Sequence, residues 1–420
     1  MGVPTLRRRA ERRGLRLWPV GTVLVLSFTT AVLVAAAVFY TGWDLLGARG
    51  LRPEHRIDSK TLFDLVKLSF GVVAGAGALV ALVVAYRRQR VDEDGALREA
   101  TRLHTERFTT AVSQLGDESA AVRLGGVHAL AGLADDAPTR DLRQTCIDVL
   151  CAYLRLPYTA DTDLPDDDAE ARLGYLANRE VRHTIIRVIA DRLRLPRQHP
   201  RSWQGHDFDF TEVVFDGGDM SAATFSGGIV DFSSATFAGG KFNFTWARFS
   251  GAAVYFNGAK FSGGEVYFNG AKFSDGEIQF NKAEFSGGRV LFTDAKFLGG
   301  EVDLINAAFP HGVVDFTMAT FEGSSTVNFI SGTFSGGNVA FRFAKFLGGK
   351  VDFGLATFSG SEVTFEGARF SGSDVHFDNA TFSGGEVDFS NATGSAPSGL
   401  VLAGVSPMPT GLLLPSTWSN

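Results

Sequence analysis

Cysteine is nearly missing from this chain: Cys146 and Cys151 are the only two in 420 residues. Five apart on an expected helix, they fit neither a disulfide framework nor a zinc site, and they read as small buried apolar residues in a reducing compartment. Catalytic constellations are missing too. No nucleophile, base and orienting group recur together, no glycine-rich phosphate loop opens a helix, and no metal-ligand spacing appears. The recurrent Ser-Gly-Gly corners lack the G-x-S-x-G order of a nucleophile elbow. His104, His128 and His183 fall singly among helical residues. These absences disfavour an enzyme, and no catalytic, cofactor-binding or metal residue is assigned.

An acidic run does occur, with Asp161, Asp163, Asp166, Asp167, Asp168 and Glu170. It lacks the glycine turn and the bidentate glutamate of an EF-hand loop, so it reads as a solvated linker. The net charge of −6 hides an asymmetry: residues 205–394 hold 22 Asp and Glu against 11 Lys and Arg, a local charge of −11, leaving +5 elsewhere.

Two long apolar runs mark the N-terminal part. Val20 to Tyr40 carries no charge, follows six arginines (Arg7, Arg8, Arg9, Arg12, Arg13, Arg16) and is flanked by Trp18 and Trp43. At about 1.5 Å per residue it matches the ~30 Å hydrocarbon layer. A cleaved signal peptide competes with this reading, but its apolar core spans only ~7 to 15 residues. Leu68 to Tyr86 is a second uncharged run, ended by Arg87, Arg88 and Arg90. The outer arginines outnumber Arg49, Arg52, Arg56 and Lys60 of the intervening loop, which places both termini in the cytoplasm. Asp64 and Lys67 read as an interfacial ion pair. Gly71 with Gly75, and Ala31 with Ala35, form small-xxx-small faces suited to helix packing within the hairpin or to a homo-oligomer.

The expected organisation is a basic tail over 1–16, transmembrane helices over 17–43 and 61–86 joined by an external loop over 44–60, a helical linker over 87–200, a repeat domain over 203–394 and a Pro/Gly/Leu tail over 395–420. In the linker, Leu124, Val127, Leu130 and Leu133, then Ile147, Leu150, Cys151 and Leu154, then Val181, Ile185, Val188 and Ile189 keep helical spacing. Residues 121–136 resemble a HEAT or armadillo helix. In the tail, Leu412, Leu413 and Leu414 are candidates to cover the last repeat, with a disordered tail the equal alternative.

What fills the C-terminal half is a phenylalanine rhythm of twelve. Phe225, Phe237, Phe249, Phe261, Phe273 and Phe285 form one series, and Phe232, Phe244, Phe256, Phe268, Phe280 and Phe292 another; both continue past one extra residue between Glu322 and Asn328 to Phe382 and Phe389. Such self-similarity marks a solenoid, whose units bury apolar faces only against their neighbours. The unit reads V-x-F-x-x-A-x-F-S-G-G-x, as in Val266 to Glu277, with apolar residues two apart pointing inward and glycine expected at the corners. Twelve extended residues cover at most ~40 Å of perimeter, too little for two inward phenylalanines between sheets ~10 Å apart. A coil of twenty-four residues with four faces is therefore expected, and fourteen units give seven coils.

Alternating A-x-F and V-x-F faces resemble the pentapeptide-repeat family, from about Phe208 to Ala392. The resemblance implies a right-handed quadrilateral β-helix, here with two extra residues in every second five and hence wider coils. The N-terminal half, through residues 107–116, 145–158 and 180–193, is similar to membrane-linked pentapeptide-repeat proteins of actinobacteria, a group without an assigned activity.

The fold class expected is thus multi-domain: two transmembrane α-helices, a small HEAT-like helical region and a pentapeptide-repeat solenoid. The function expected is a non-enzymatic, membrane-anchored scaffold with an unknown protein partner. Trp246, Tyr255 and Tyr267 form the candidate contact patch. Family members that protect topoisomerase present an acidic rod, which makes a DNA mimic the alternative. Against it, the outward A-x-F residue is often basic (Arg248, Lys260, Lys272, Lys296, Lys345, Arg369) beside acidic Glu265, Glu277, Glu301, Glu362, Asp374 and Glu386. Such mixed columns are expected to pair rather than project one field, and no nucleic-acid partner is expected.

Overall fold

The computed structural model describes residues 20–45, 58–160, 168–400 and 411–418, apart from the side chains of about half of residues 20–45 and of residues 61 and 65. The arginines before Trp18, the loop residues Arg49, Arg52 and Arg56, most of the acidic run (Asp161, Asp163, Asp166, Asp167) and the side chains of Ala31 and Ala35 lie outside the described residues. The chain divides into two compact units, Met1–Ala100 and Thr101–Asn420.

In the first unit, α1 spans Val20–Leu45 and α2 begins at Ser59. The apolar run of α2 is exposed, including Leu68, Phe70, Val73 and Leu82. Among the described residues, the helix over Leu62–Leu115 is long and apolar enough to cross a membrane. Here the structure departs from the expected boundaries. Instead of stopping near Tyr86, α2 continues to Leu115 as one helix of 57 residues, its last turns belonging to the second unit. Nothing between Arg87 and Leu115 breaks it: the segment has one glycine, Gly95, and no proline.

In the second unit, α3 (Ala120–Asp135), α4 (Arg140–Leu154) and α5 (Ala169–Arg194) pack their periodic residues into one core. Thr139 caps α4 by accepting from the Leu142 N–H, and Asp168 caps α5 by accepting from the Ala171 N–H. Cys146 and Cys151 are free and buried in this core. Burial pushes their thiols up to about 11 and about 12, so both stay protonated.

The solenoid has about 8 turns of about 24 residues. All its strand pairs are parallel, and the registers define four faces. Face one stacks Phe208, Val230, Val254, Ile278, Val302, Val327, Val351 and Val375. Face two carries Phe215, Phe237, Phe261, Phe285, Phe309, Phe334, Phe358 and Phe382. Face three runs from Gly218 and Phe242 through Val266, Val290, Val314, Val339, Val363 and Val387. Face four holds Phe225, Phe249, Phe273, Phe297, Phe321, Phe346 and Phe370. The expected count of seven missed the first coil, because Phe208 pairs with Val230 and Phe215 with Phe237, short of the later spacing.

Inside, rings stack coil upon coil. Phe232 and Phe256 lie 4.7 Å apart and 2° from parallel, Phe244 and Phe268 4.8 Å and 4°. The twelve phenylalanines from Phe225 to Phe292 singled out above are each at most 2% exposed. Burying one ring is worth ~1.5 to 3 kcal/mol, which offsets much of the chain entropy lost in ordering the corners.

Both ends are covered. At the first coil, the buried Arg182 guanidinium of α5 donates to Leu154 O at 2.6 Å and Val214 O at 2.7 Å, and lies 4.1 Å from the Tyr158 ring. At the last coil, Leu412 pairs in register with Val387, and Trp418 packs against Phe370 and Phe389 at 5.5 and 5.6 Å. Trp418 Nε1 donates to Gly394 O. An uncovered solenoid end would leave strand edges open.

Candidate interaction surface

The side chains that alternate with the buried ones form outward columns, and the fold sorts them by charge. Face four presents Thr224, Arg248, Lys272, Lys296, Thr320, Lys345, Arg369 and Thr393 in register, five cations at one ladder position. Face one presents Asp231, Tyr255, Gln279, Asp303, Asn328, Asp352 and His376, beside an edge column with Glu277, Glu301, Lys350 and Asp374. Face three carries Glu265, Glu362 and Glu386 in an edge column with Lys241 and Arg289.

This corrects the expectation that the basic A-x-F residues pair with the acidic columns. The basic A-x-F positions recur every twelve residues, but a coil is about 24, so alternate positions land on opposite faces. Lys260 sits on face two and the other five cations on face four. The acidic residues divide between faces one and three. Ion pairs on the rod join Glu265 to Lys241 and Arg289, Glu366 to Arg342, and Asp352 to Lys350.

The structure does not bring the candidate patch together. Tyr255 stands on face one between Asp231 and Gln279, whereas Tyr267 stands on face three between Asn243 and Leu291. Half a coil separates them. Trp246 occupies the corner between faces three and four, 64% exposed.

That corner also revises the expected role of glycine. One residue per V-x-F face takes φ near +60°, yet most of them carry side chains: Ala222, Trp246, Asp294, Met318, Phe343 and Asn391 on the corner leading into face four, with Glu212, Lys282 and Leu355 among those on the other. Trp246 and Phe343 are bulky for this region. Both are seated by glycine one coil on. A Cβ at Gly270 would lie 3.2 Å from the Trp246 ring, and one at Gly367 2.7 Å from the Phe343 ring.

On face one, carboxylates crowd together. Asp303, buried, accepts from Asn328 Nδ2 at 2.6 Å, and Glu301 from the same amide at 3.3 Å. Burial raises the Asp303 carboxyl above its ordinary value, and the neighbouring Asp303 charge raises that of Glu301. Among the described residues, no group of three or more His, Cys, Asp or Glu is placed to hold a metal ion.

A part-buried polar cluster around Asp216 joins the helices to the first coils. Asp216 accepts from Tyr158 Oη at 2.6 Å and Tyr175 Oη at 2.7 Å, and meets His183 Nε2 at 3.0 Å and Arg179 Nε at 3.3 Å. Burial alone would raise this carboxyl, but the hydrogen bonds from His183, Tyr158 and Tyr175 outweigh it and hold it far below the usual range. Burial, with the Asp216 hydrogen bond, pushes Tyr175 up to about 12. His183 therefore has a partner that its isolated place in the sequence concealed. A cleft of about 270 Å³ beside it is lined by Arg172, Arg179 and Gly240. With each polar atom of Asp216 engaged, this group serves as a structural clasp.

In the first unit, Asp64 and Lys67 approach to 4.0 Å. A Cβ at Gly71 or Gly75 would meet nothing within 4 Å, so no close helix packs there among the described residues. The two glycines line an open groove of about 990 Å³ with Phe28, Val32 and Leu79.

Residues 344–393 match the family model for Pentapeptide repeats (9 copies). The match supports that family for the solenoid, whose four ladders continue the same pattern back to Phe208. No curated protein and no solved structure matches the chain significantly.

Proposed function

We propose that this protein is a non-enzymatic scaffold, anchored in the cell membrane by two spans, that presents its solenoid to a protein partner at the cytoplasmic face. The fold itself suggests a protein-interaction scaffold, since repetition sets like residues in columns instead of assembling one unlike constellation. The observation that carries the reading is the sorting of charge by face on a rigid ladder core. Faces one and three, rich in Asp and Glu, suit a partner with a basic surface. The exposed apolar run of α2 supports the anchor, as does the length of α1, and the arginines before α1 and after Tyr86 support cytoplasmic termini. The helices α3 to α5 then act as a HEAT-like coupling. The resemblance of the N-terminal half to membrane-linked actinobacterial proteins points the same way.

Proximity labelling from the full chain in its native membrane tests this. A protein enriched over a bare two-helix anchor, and lost when Glu277 and Glu301 are changed to Lys, is the expected result. Equal labelling by the anchor alone refutes the scaffold.

A second reading, an acidic DNA mimic, is favoured by one specific observation: Glu277, Glu301 and Asp303 stand together, and the residues that adjoin them in their columns, Ala253, Thr326, Gln279 and Asn328, carry no positive charge. Dose-dependent inhibition of gyrase supercoiling by the purified chain would establish it in place of the scaffold.

A further inference from the structure

We propose that face four, with the corner leading into it, is a second membrane-contact surface that binds anionic lipid headgroups. The inference builds on the membrane anchoring proposed above and assigns this face a role that the partner-binding acidic faces leave open.

Three observations meet on this one side. First, Arg248, Lys272, Lys296, Lys345 and Arg369 share one ladder position, with only Thr320 between the third and fourth. Like charges stacked ~4.8 Å apart repel, and such a column is retained at a cost to the sheet. None of the five takes part in the ion pairs found on the rod. Second, four of the seven large apolar residues exposed on the solenoid border this column: Trp246, Met318 and Phe343 on its leading corner and Leu347 on its trailing side. Third, the three on the leading corner have φ of 62°, 60° and 55°, a conformation that favours glycine or asparagine. The opposite corner fills the same positions mostly with Ser, Asn, Lys and Glu. Bulky apolar residues at strained, solvent-facing positions, lined up beside unneutralised cations, are unfavourable for a face that meets only water.

The chemistry identifies the partner. Cations attract acidic headgroups, while Trp, Phe, Met and Leu settle at the boundary between headgroup and acyl chain. A nucleic-acid strand would use the cations but not Met318 or Leu347, and Trp246 and Phe343 stand four coils apart, about 19 Å at ~4.8 Å per coil, too far to stack neighbouring bases. Four carboxylates lie at the margins: Asp294 and Glu366 on the leading corner, the latter ion-paired with Arg342, and Asp275 and Glu322 on the trailing side. They flank the column without entering it.

The test uses the full chain in nanodiscs of phosphatidylcholine alone or mixed with phosphatidylglycerol. Co-elution with neutral discs reports the anchor by itself. The face is read separately, by placing a fluorophore at Thr320→Cys on face four or Thr357→Cys on face two, the native cysteines being buried, and quenching it with nitroxide-labelled lipid. We expect strong quenching at position 320 only in anionic discs, weakened by salt and reduced about tenfold when Lys272, Lys296 and Lys345 become Glu. Position 357 and the Lys260→Glu variant should give no change. Trp246→Asn with Phe343→Asn relieves the backbone and should fold, yet it should lower quenching severalfold. Should the chain fail to co-elute with neutral discs, the anchor fails, and quenching on anionic discs still decides the face. Equal quenching in both lipids, quenching at 357 instead of 320, indifference to the lysines, or lysine-dependent binding of an oligonucleotide without quenching each overturns the proposal.

Discussion

Leu304 interrupts a column in which Phe256 and Phe280 stack at 4.6 Å below it and Phe329 and Phe353 at 4.7 Å above it. It is nearly fully buried, so the slot is filled but lacks a ring. Restoring the ring by Leu304→Phe should raise the melting temperature, since an aromatic pair adds ~0.5 to 1.5 kcal/mol beyond its area and the other coils show that this position accommodates phenylalanine. A fall instead would mean that the neighbours have closed on the leucine. In the same column, Phe280→Ala should cost about 3 to 5 kcal/mol, seen as early loss of the β signal on heating. At this scale the sequence was legible: the rhythm of twelve identified the buried rings. It did not show that Trp246 and Phe343 would pack against Gly270 and Gly367, because that contact links residues a full coil apart.

Among elements, the contact of α4 and α5 with the first coils holds two groups with shifted pKa, His206 and Asp216. His206, buried beside Arg140 and Arg143, shares a hydrogen bond with Gln144 Oε1 at 2.9 Å. Burial first, then the two arginines, push its pKa from 6.5 down to about 4. The unfolded chain therefore takes up a proton at His206 that the folded chain refuses. Its contribution is complete above about pH 6.5 and lost as pH falls toward about 4. Asp216, held below its ordinary value, adds a loss of the same sign at still lower pH. Melting measured across this range should drop toward acid, and His206→Gln should flatten the upper part of the slope; an unchanged slope would remove His206 from the account. Neither group stood out in the sequence, where His206 and Gln144, or His183 and Asp216, are separated by whole elements.

For the whole molecule, the ends matter as much as the repeat. Removing the chain from Gly411 onward would expose Phe370 and Phe389, which Trp418 covers. Hydrogen exchange should then quicken around Phe377 to Ala392 and stay unchanged around Val254, because each coil of a solenoid depends on its neighbours alone. Uniform acceleration would show the rod to be one cooperative body instead.

Periodicity by itself determined that the C-terminal half is a solenoid with aromatic ladders, four faces and coils of about 24 residues, since inward and outward alternation is a local property of extended chain. Apolar length likewise marked the membrane-compatible helix. Which outward residues become neighbours was decided only by the tertiary structure. A period of twelve inside a coil of twice that length sends alternate units to opposite sides, so Lys260 parts from Lys272 and Tyr255 from Tyr267. The basic face, the acidic faces and the clasp at Asp216 exist because winding brings distant residues together, and electrostatic attraction and repulsion depend on distance in space.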